Sequence, residues 1–228
     1  MNTSAASTSE RDVFITADTL RLPGQLNVPP SANGVVLFAH GSGSSRSSPR
    51  NRRAAEFFDS HGIGTLLFDL LSEDENDADA VTREYRFDIP LLAGRLVRAV
   101  EYVRNDADTQ NLPLGLFGAS TGAAAALIAA AERPDAVHAV VSRGGRSDLA
   151  GDALENVRAP TLLIVGENDP EVIDLNRRAA TRLNAMHRTV IVEGASHLFE
   201  EPGTLGTVQE LAADWFTRWF DAPQGTLQ

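Results

Sequence analysis

Cysteine and lysine are both missing from the 228 residues. Without cysteine there is no disulfide, no thiolate nucleophile and no cysteine-based metal site. Without lysine, since all 20 basic residues are arginine, a P-loop and Schiff-base chemistry are excluded, because each needs a lysine amine. No apolar run approaches the ~18–20 residues of a membrane span. The start, residues 1–11, lacks the apolar centre of a secretory signal and reads as a disordered tail; residues 221–228 read as a C-terminal tail. Positive charge is outweighed, the formal net charge being −11, which argues against nucleic acid or an anionic membrane as partner. Repeats and internal linkers are absent too. One domain over residues 12–220 is therefore expected, long enough for a large core. The expected compartment is the cytoplasm, although a lack of cysteine suits an oxidising compartment equally well.

The residues that are present alternate between two periods. Residues 12–28 hold two β-like runs, an antiparallel ribbon at a sheet edge with Pro23 and Gly24 as its turn or bulge. Residues 35–39, 64–69, 114–117, 136–141, 161–165 and 189–192 read as short strands, and the continuous apolar run 35–39 is as expected of a strand buried on both faces. Between them, residues 52–60, 87–103, 123–133, 171–185 and the stretch around 208–219 repeat apolar side chains at helical spacing. The acidic stretch 72–85 reads as a solvated loop. Strand and helix in alternation predict an α/β fold, a mostly parallel sheet with helices on both faces. Connections are short throughout, so no cap domain is expected.

The chain is organised around residues 112–133, Leu112-Pro-Leu-Gly-Leu-Phe-Gly-Ala-Ser-Thr-Gly122 followed by an alanine-rich run to Arg133. A buried strand stops at Gly118 and an alanine-rich helix begins within three residues, with Ser120 at the joint. Residues two away on either side are glycine, as the crowding of a strand against a helix demands. This is the nucleophile-elbow pattern G-x-S-x-G, which holds a serine hydroxyl above the sheet edge at a helix N-terminus. The plainer alternative is a glycine turn with a helix-capping serine.

Ligands of such sheets bind beyond the carboxyl ends of the strands, so the segments just after the strands are the candidates for the site. A serine hydroxyl needs a base beside it. His197 lies just past the last strand in a small-residue loop, whereas His61, His138 and His187 fit packing or surface roles and His40 fits ordering the adjoining glycine loop. An imidazole base needs a carboxylate. Asp169 and Glu167 both lie in the loop after the strand at 161–165; Asp169 is preferred because it lies farther out and Pro170 then starts a helix. The order Ser120, Asp169, His197 is that of α/β-hydrolases. Two backbone N–H donors for an oxyanion are expected at Thr121 and at Ser42, within His40-Gly-Ser-Gly43.

On these motifs the chain resembles an α/β-hydrolase over residues 12–220, and within that family it is similar to the small, cap-free dienelactone hydrolase-like group. The resemblance implies an eight-stranded, mostly parallel sheet, acyl-enzyme chemistry and no cofactor. True dienelactone hydrolases use a cysteine nucleophile, and here Ser120 stands instead, which favours ordinary ester hydrolysis of a small-molecule substrate. An acyltransferase or perhydrolase with the same triad, and a non-catalytic binding module on the same fold, are the alternatives. Finally, Arg46, Arg50, Arg143 and Arg146 all lie in segments after strand ends in an acidic chain. Arg143 first and Arg46 second are candidates to hold an anionic group of the substrate. The competing expectation is that these arginines pair with the acids at 73–79 or with Glu200 and Glu201, pinning loops over the site.

Overall fold

The computed structural model describes residues 9–222. Eight strands form one sheet: β1 Ser9–Ala17, β2 Leu20–Val28, β3 Gly34–Ala39, β4 Ile63–Phe68, β5 Leu114–Ala119, β6 Val137–Arg143, β7 Thr161–Gly166 and β8 His187–Val192. Their order is β1-β2-β4-β3-β5-β6-β7-β8. Only β2 runs against its neighbours; from β4 to β8 every pairing is parallel. This is the mostly parallel eight-stranded sheet that the resemblance implies.

The central strands are buried along their whole length because helices cover both faces. On one face lie α1 (Pro49–Ser60) and α6 (Thr204–Phe220), whose Phe58 and Phe216 pack with Phe38 and Phe117 of the sheet. On the other lie α3 (Ile89–Asn105), α4 (Thr121–Glu132), a 3-10 segment (Ser147–Asn156) and α5 (Pro170–Ala180). In α4, Ala123 to Ala126, Ala129 and Ala130 are fully buried, and their small side chains let this helix settle deep between its neighbours. Among the described residues no second domain is inserted, and no helix is long and apolar enough to cross a membrane.

Three expectations need correction. The ribbon turns at Asp18 and Thr19, with Asp18 at φ 53°, while Pro23 and Gly24 lie inside β2. The ladder with β4 begins only at Gly24, so Pro23 is not asked for an N–H there. Next, β1 begins at Ser9, inside the stretch expected to be a tail, and Arg11 is held by Asp106; residues 1–8 and 223–228 of the expected tails lie outside the described residues. Last, the acidic stretch is a helix, α2 (Glu73–Thr82), started by a capping box in which Ser72 and Glu75 bond each other's backbone N–H. Its charges find partners, Arg95 on Glu75 and Arg86 on Asp79.

Candidate active site

Ser120 is the single residue between β5 and α4, at φ 50° and ψ −122°. A non-glycine residue there is strained, and the surroundings hold it in place. Its N–H donates to the Arg143 carbonyl (3.3 Å), and its own carbonyl accepts from Ala123 (3.1 Å) and Arg146 (3.0 Å). The flanking glycines are required by contact. A Cβ at Gly118 would stand 2.4 Å from the Ala123 Cα, and one at Gly122 would stand 2.2 Å from the Ala39 carbonyl oxygen. The serine hydroxyl makes no helix-capping hydrogen bond. The plainer reading of this serine as a cap therefore has no bond to rest on.

Asp169 and His197 are brought together: the imidazole Nδ1 donates to Asp169 Oδ2 at 2.6 Å. Glu167, the other acid of that loop, instead accepts from the Gly194 N–H at 2.8 Å. With Asn168, which bonds Ala195 and Gly194, it clamps the segment that presents His197. Asp169 takes the N-cap position of α5 without making a cap bond, so its carboxylate is left for the imidazole. Glu201 holds the segment from the far side by accepting from the Ser196 N–H at 3.0 Å. The histidine lies over Gly144, where an added Cβ would stand 3.6 Å from His197 Cε1. Gly144 adjoins the carbonyl that binds Ser120, so the acid–imidazole pair arrives beside the elbow.

The loop after β3 reaches the same point. A Cβ on Gly41 would stand 3.1 Å from the Ser120 Cβ, and the Ser42 and Thr121 hydroxyls are 3.0 Å apart. His40 is buried, its Nε2 accepting from the Leu70 N–H (3.0 Å) while Nδ1 donates to the Gly41 carbonyl (3.1 Å). Burial pushes this imidazole's pKa down. Both ring nitrogens are committed, so His40 orders the loop. Sequence reasoning missed the outer support, α2. Buried Asp79 accepts from the backbone N–H of Tyr85 and Arg86 and from Arg86 Nε, and Ser42 donates to the Arg86 carbonyl. The capping box Ser72-x-x-Glu75 was the signal that could have revealed this helix.

The arginines divide. Arg46 donates from its backbone N–H (2.7 Å) and its Nε (3.0 Å) to Asp69. It is thus engaged by the end of β4, and its partner is an acid outside both groups expected for it. Arg146 grips Asp148 through two bonds of 2.9 Å, and Arg50 donates to Glu200 at 3.0 Å. Arg143, the last residue of β6, is only 8% exposed. Among the described residues no carboxylate pairs with it, and its Nη1 is buried without a hydrogen-bond partner. Burial, with repulsion from Arg50, lowers its pKa to about 10, so it stays charged at neutral pH.

Residues 32–218 match the model of an alpha/beta hydrolase domain. A crystal structure of a dienelactone hydrolase from Anabaena variabilis is 54% identical, covering 93% of this chain and 98% of that one with a TM-score of 0.91. Est1E from Butyrivibrio proteoclasticus shares the fold at 14% identity, over 92% of this chain and 99% of its own, with a TM-score of 0.77. Two Mycobacterium tuberculosis proteins, from strains CDC 1551 and H37Rv, carry the provisional name phosphoribosyl transferase. They are 52% identical over 207 residues, which is 91% of this chain and 46% of theirs. The chain thus spans about half the length of the curated relatives it matches.

Proposed function

The chain belongs to the α/β-hydrolase family, and from that membership we propose that it is a serine hydrolase of carboxylic esters, working through an acyl-enzyme on Ser120. The observation that carries this reading is the 2.6 Å Asp169–His197 pair beside an elbow serine whose hydroxyl is not used as a cap. Asp169 fixes the imidazole with its proton on Nδ1, leaving Nε2 as the base. His197 takes the Ser120 proton as the oxygen attacks the ester carbonyl, then hands it to the departing alkoxide. A water molecule, deprotonated by the same imidazole, splits the acyl-enzyme and returns the serine. Among the described residues the Ser120 hydroxyl makes no hydrogen bond to His197, and catalytic contacts of this kind commonly tighten only when substrate is bound.

The backbone N–H groups of Ser42 and Thr121 are assigned to the oxyanion. Thr121 opens α4, so the helix dipole adds to its donor, and the 3.0 Å contact between the two hydroxyls supports their sharing one pocket. The reaction needs no cofactor beyond water, and its partner is a small-molecule ester. The transferase name belongs to proteins about twice as long, and the reading proposed for this chain is that of its hydrolase domain alone.

The test is turnover of p-nitrophenyl acetate by wild type and Ser120→Ala, with the fold checked by circular dichroism. The alanine variant should lose activity by a factor on the order of 10⁴ or more, and a fluorophosphonate should label Ser120 alone. Retained activity in the variant, or labelling at another residue, would remove the assignment.

A further inference from the structure

A buried guanidinium is expensive unless a carboxylate or several acceptors compensate it. Around this sheet edge the fold obeys that rule at buried Arg95, which has Glu75, and the more exposed Arg46, Arg86 and Arg146 each have an acid as well. Arg143 breaks it, buried and with Nη1 unbonded. The exception has company. Arg50 Nε and Asn51 Oδ1, in the first turn of α1, are also buried without a partner. Arg50 is near enough to repel Arg143 electrostatically, and the start of a helix adds positive potential of its own. Two arginines and a helix N-terminus thus lie close together, and Glu200 is bonded to Arg50 through Nη1.

The position of this surplus matters. Arg143 pairs in register with Ala119, and its carbonyl receives the Ser120 N–H. Its guanidinium lies over the Phe117 ring, 5.8 Å from the centroid, on the face covered by α1 and α6. The Arg143 backbone thus adjoins the nucleophile, and its guanidinium lies on the α1–α6 side of the sheet. Resting on the ester-hydrolase reading above, we propose that Arg143 and Arg50 form a subsite for an anionic group of the substrate, making the preferred substrate an ester that carries a carboxylate or a phosphate near its scissile carbonyl. The planar fork of Arg143 holds that group through paired hydrogen bonds, and Arg50 Nε adds a donor from the α1 side. The Arg50–Glu200 pair is open to solvent, with side chains 31% and 63% exposed. A surface pair of that kind is weak, so an incoming anion displaces Glu200 easily.

Binding and turnover test this separately. Succinate and inorganic phosphate are titrated by calorimetry into Ser120→Ala, with and without Arg143→Met, so that no catalysis is involved. At least one anion should bind, and Arg143→Met should weaken it by about ten- to a hundred-fold. In the Ser120 enzyme, the kcat/KM of the p-nitrophenyl hemiester of succinic acid is divided by that of p-nitrophenyl butyrate. Arg143→Met should lower this ratio by the same factor, Arg143→Lys by less, and Glu200→Gln should not lower it at all. Binding of phosphate alone, with preference for a phosphate-bearing ester, identifies the group as phosphate; binding of succinate identifies a carboxylate. If neither anion binds, or Arg143→Met and Arg143→Lys reduce both esters equally, the subsite is disproved while the esterase reading stands. Arg143-dependent binding in an enzyme that cleaves no ester would instead keep the subsite and remove the esterase.

Discussion

Ser142 and Arg143 are consecutive residues of β6, both buried, with side chains on opposite faces of the sheet. Ser142 joins a closed chain of hydrogen bonds, its Oγ to Ser147 Oγ, Ser147 Oγ to Asn176 Oδ1, and Asn176 Nδ2 to the carbonyls of Gly145 and Val172. Arg143 has no such chain. The satisfied side fixes the Gly144–Arg146 turn, whose Arg146 N–H holds the Ser120 carbonyl, so it is scaffold for the elbow. The unsatisfied side is where the protein leaves a partner to be supplied from outside. A buried polar group that is bonded builds the site, and one that is not bonded points to what the site receives.

That contrast can be broken in several places. The largest effect belongs to the two carboxylates of the loop after β7, both of which bond the His197 segment while only Asp169 touches the imidazole. Asp169→Asn should lower kcat by about 10³–10⁴-fold, and Glu167→Gln should change it little; steady-state kinetics on a neutral ester would reveal a reversed ranking. Next comes the scaffold itself. Asn176→Leu removes the acceptor of the Ser147 hydroxyl and the amide donor to two carbonyls, so urea unfolding should give a loss of about 2–4 kcal/mol. A loss near zero would mean that the closed chain is not what holds the turn.

Arg143→Met should act in the opposite direction, because removing an uncompensated buried charge relieves a desolvation cost. A gain of about 1–2 kcal/mol, or roughly 2–8 °C in Tm, is expected. Destabilisation would show that the guanidinium serves the fold, as Ser142 does. The smallest effect is that of His40, whose folded-state pKa is depressed by burial. The unfolded chain then binds the proton more readily, so stability is full above the ordinary histidine pKa of about 6.5 and declines as pH falls through and below it. His40→Gln should flatten that decline in a Tm–pH series. Buried His138, shifted in the same direction, leaves part of it in place. Glu75 and Asp79, held low despite burial by Arg95 and Arg86, act in a more acidic window.

Much of this was readable along the chain because it is local. Continuous apolar runs announced the central strands, and helical spacing announced α1, α3 and α6. Gly-x-Ser-x-Gly between a strand and a helix located the elbow, since two chain elements joined by one residue leave room for nothing larger than hydrogen at Gly118 and Gly122. The acidic stretch was misread for a related reason. Its low hydrophobicity resembles a loop, but a capping box and long-range partners in Arg95 and Arg86 make it a helix.

By itself, then, the sequence determined the succession of strands and helices, the elbow serine, and an acid and a histidine after it in hydrolase order. These depend on steric and hydrophobic patterns within a few residues. Only the tertiary structure decided that Asp169 rather than Glu167 meets His197, that Asp69 takes Arg46, and that Arg143 is left without a carboxylate among the described residues. Each of those is a choice among charged groups 23 or more residues apart in the chain. Sheet order and loop packing settle it by distance, because hydrogen bonds and buried charges are decided within about 3–4 Å, a separation that spacing along the chain does not encode.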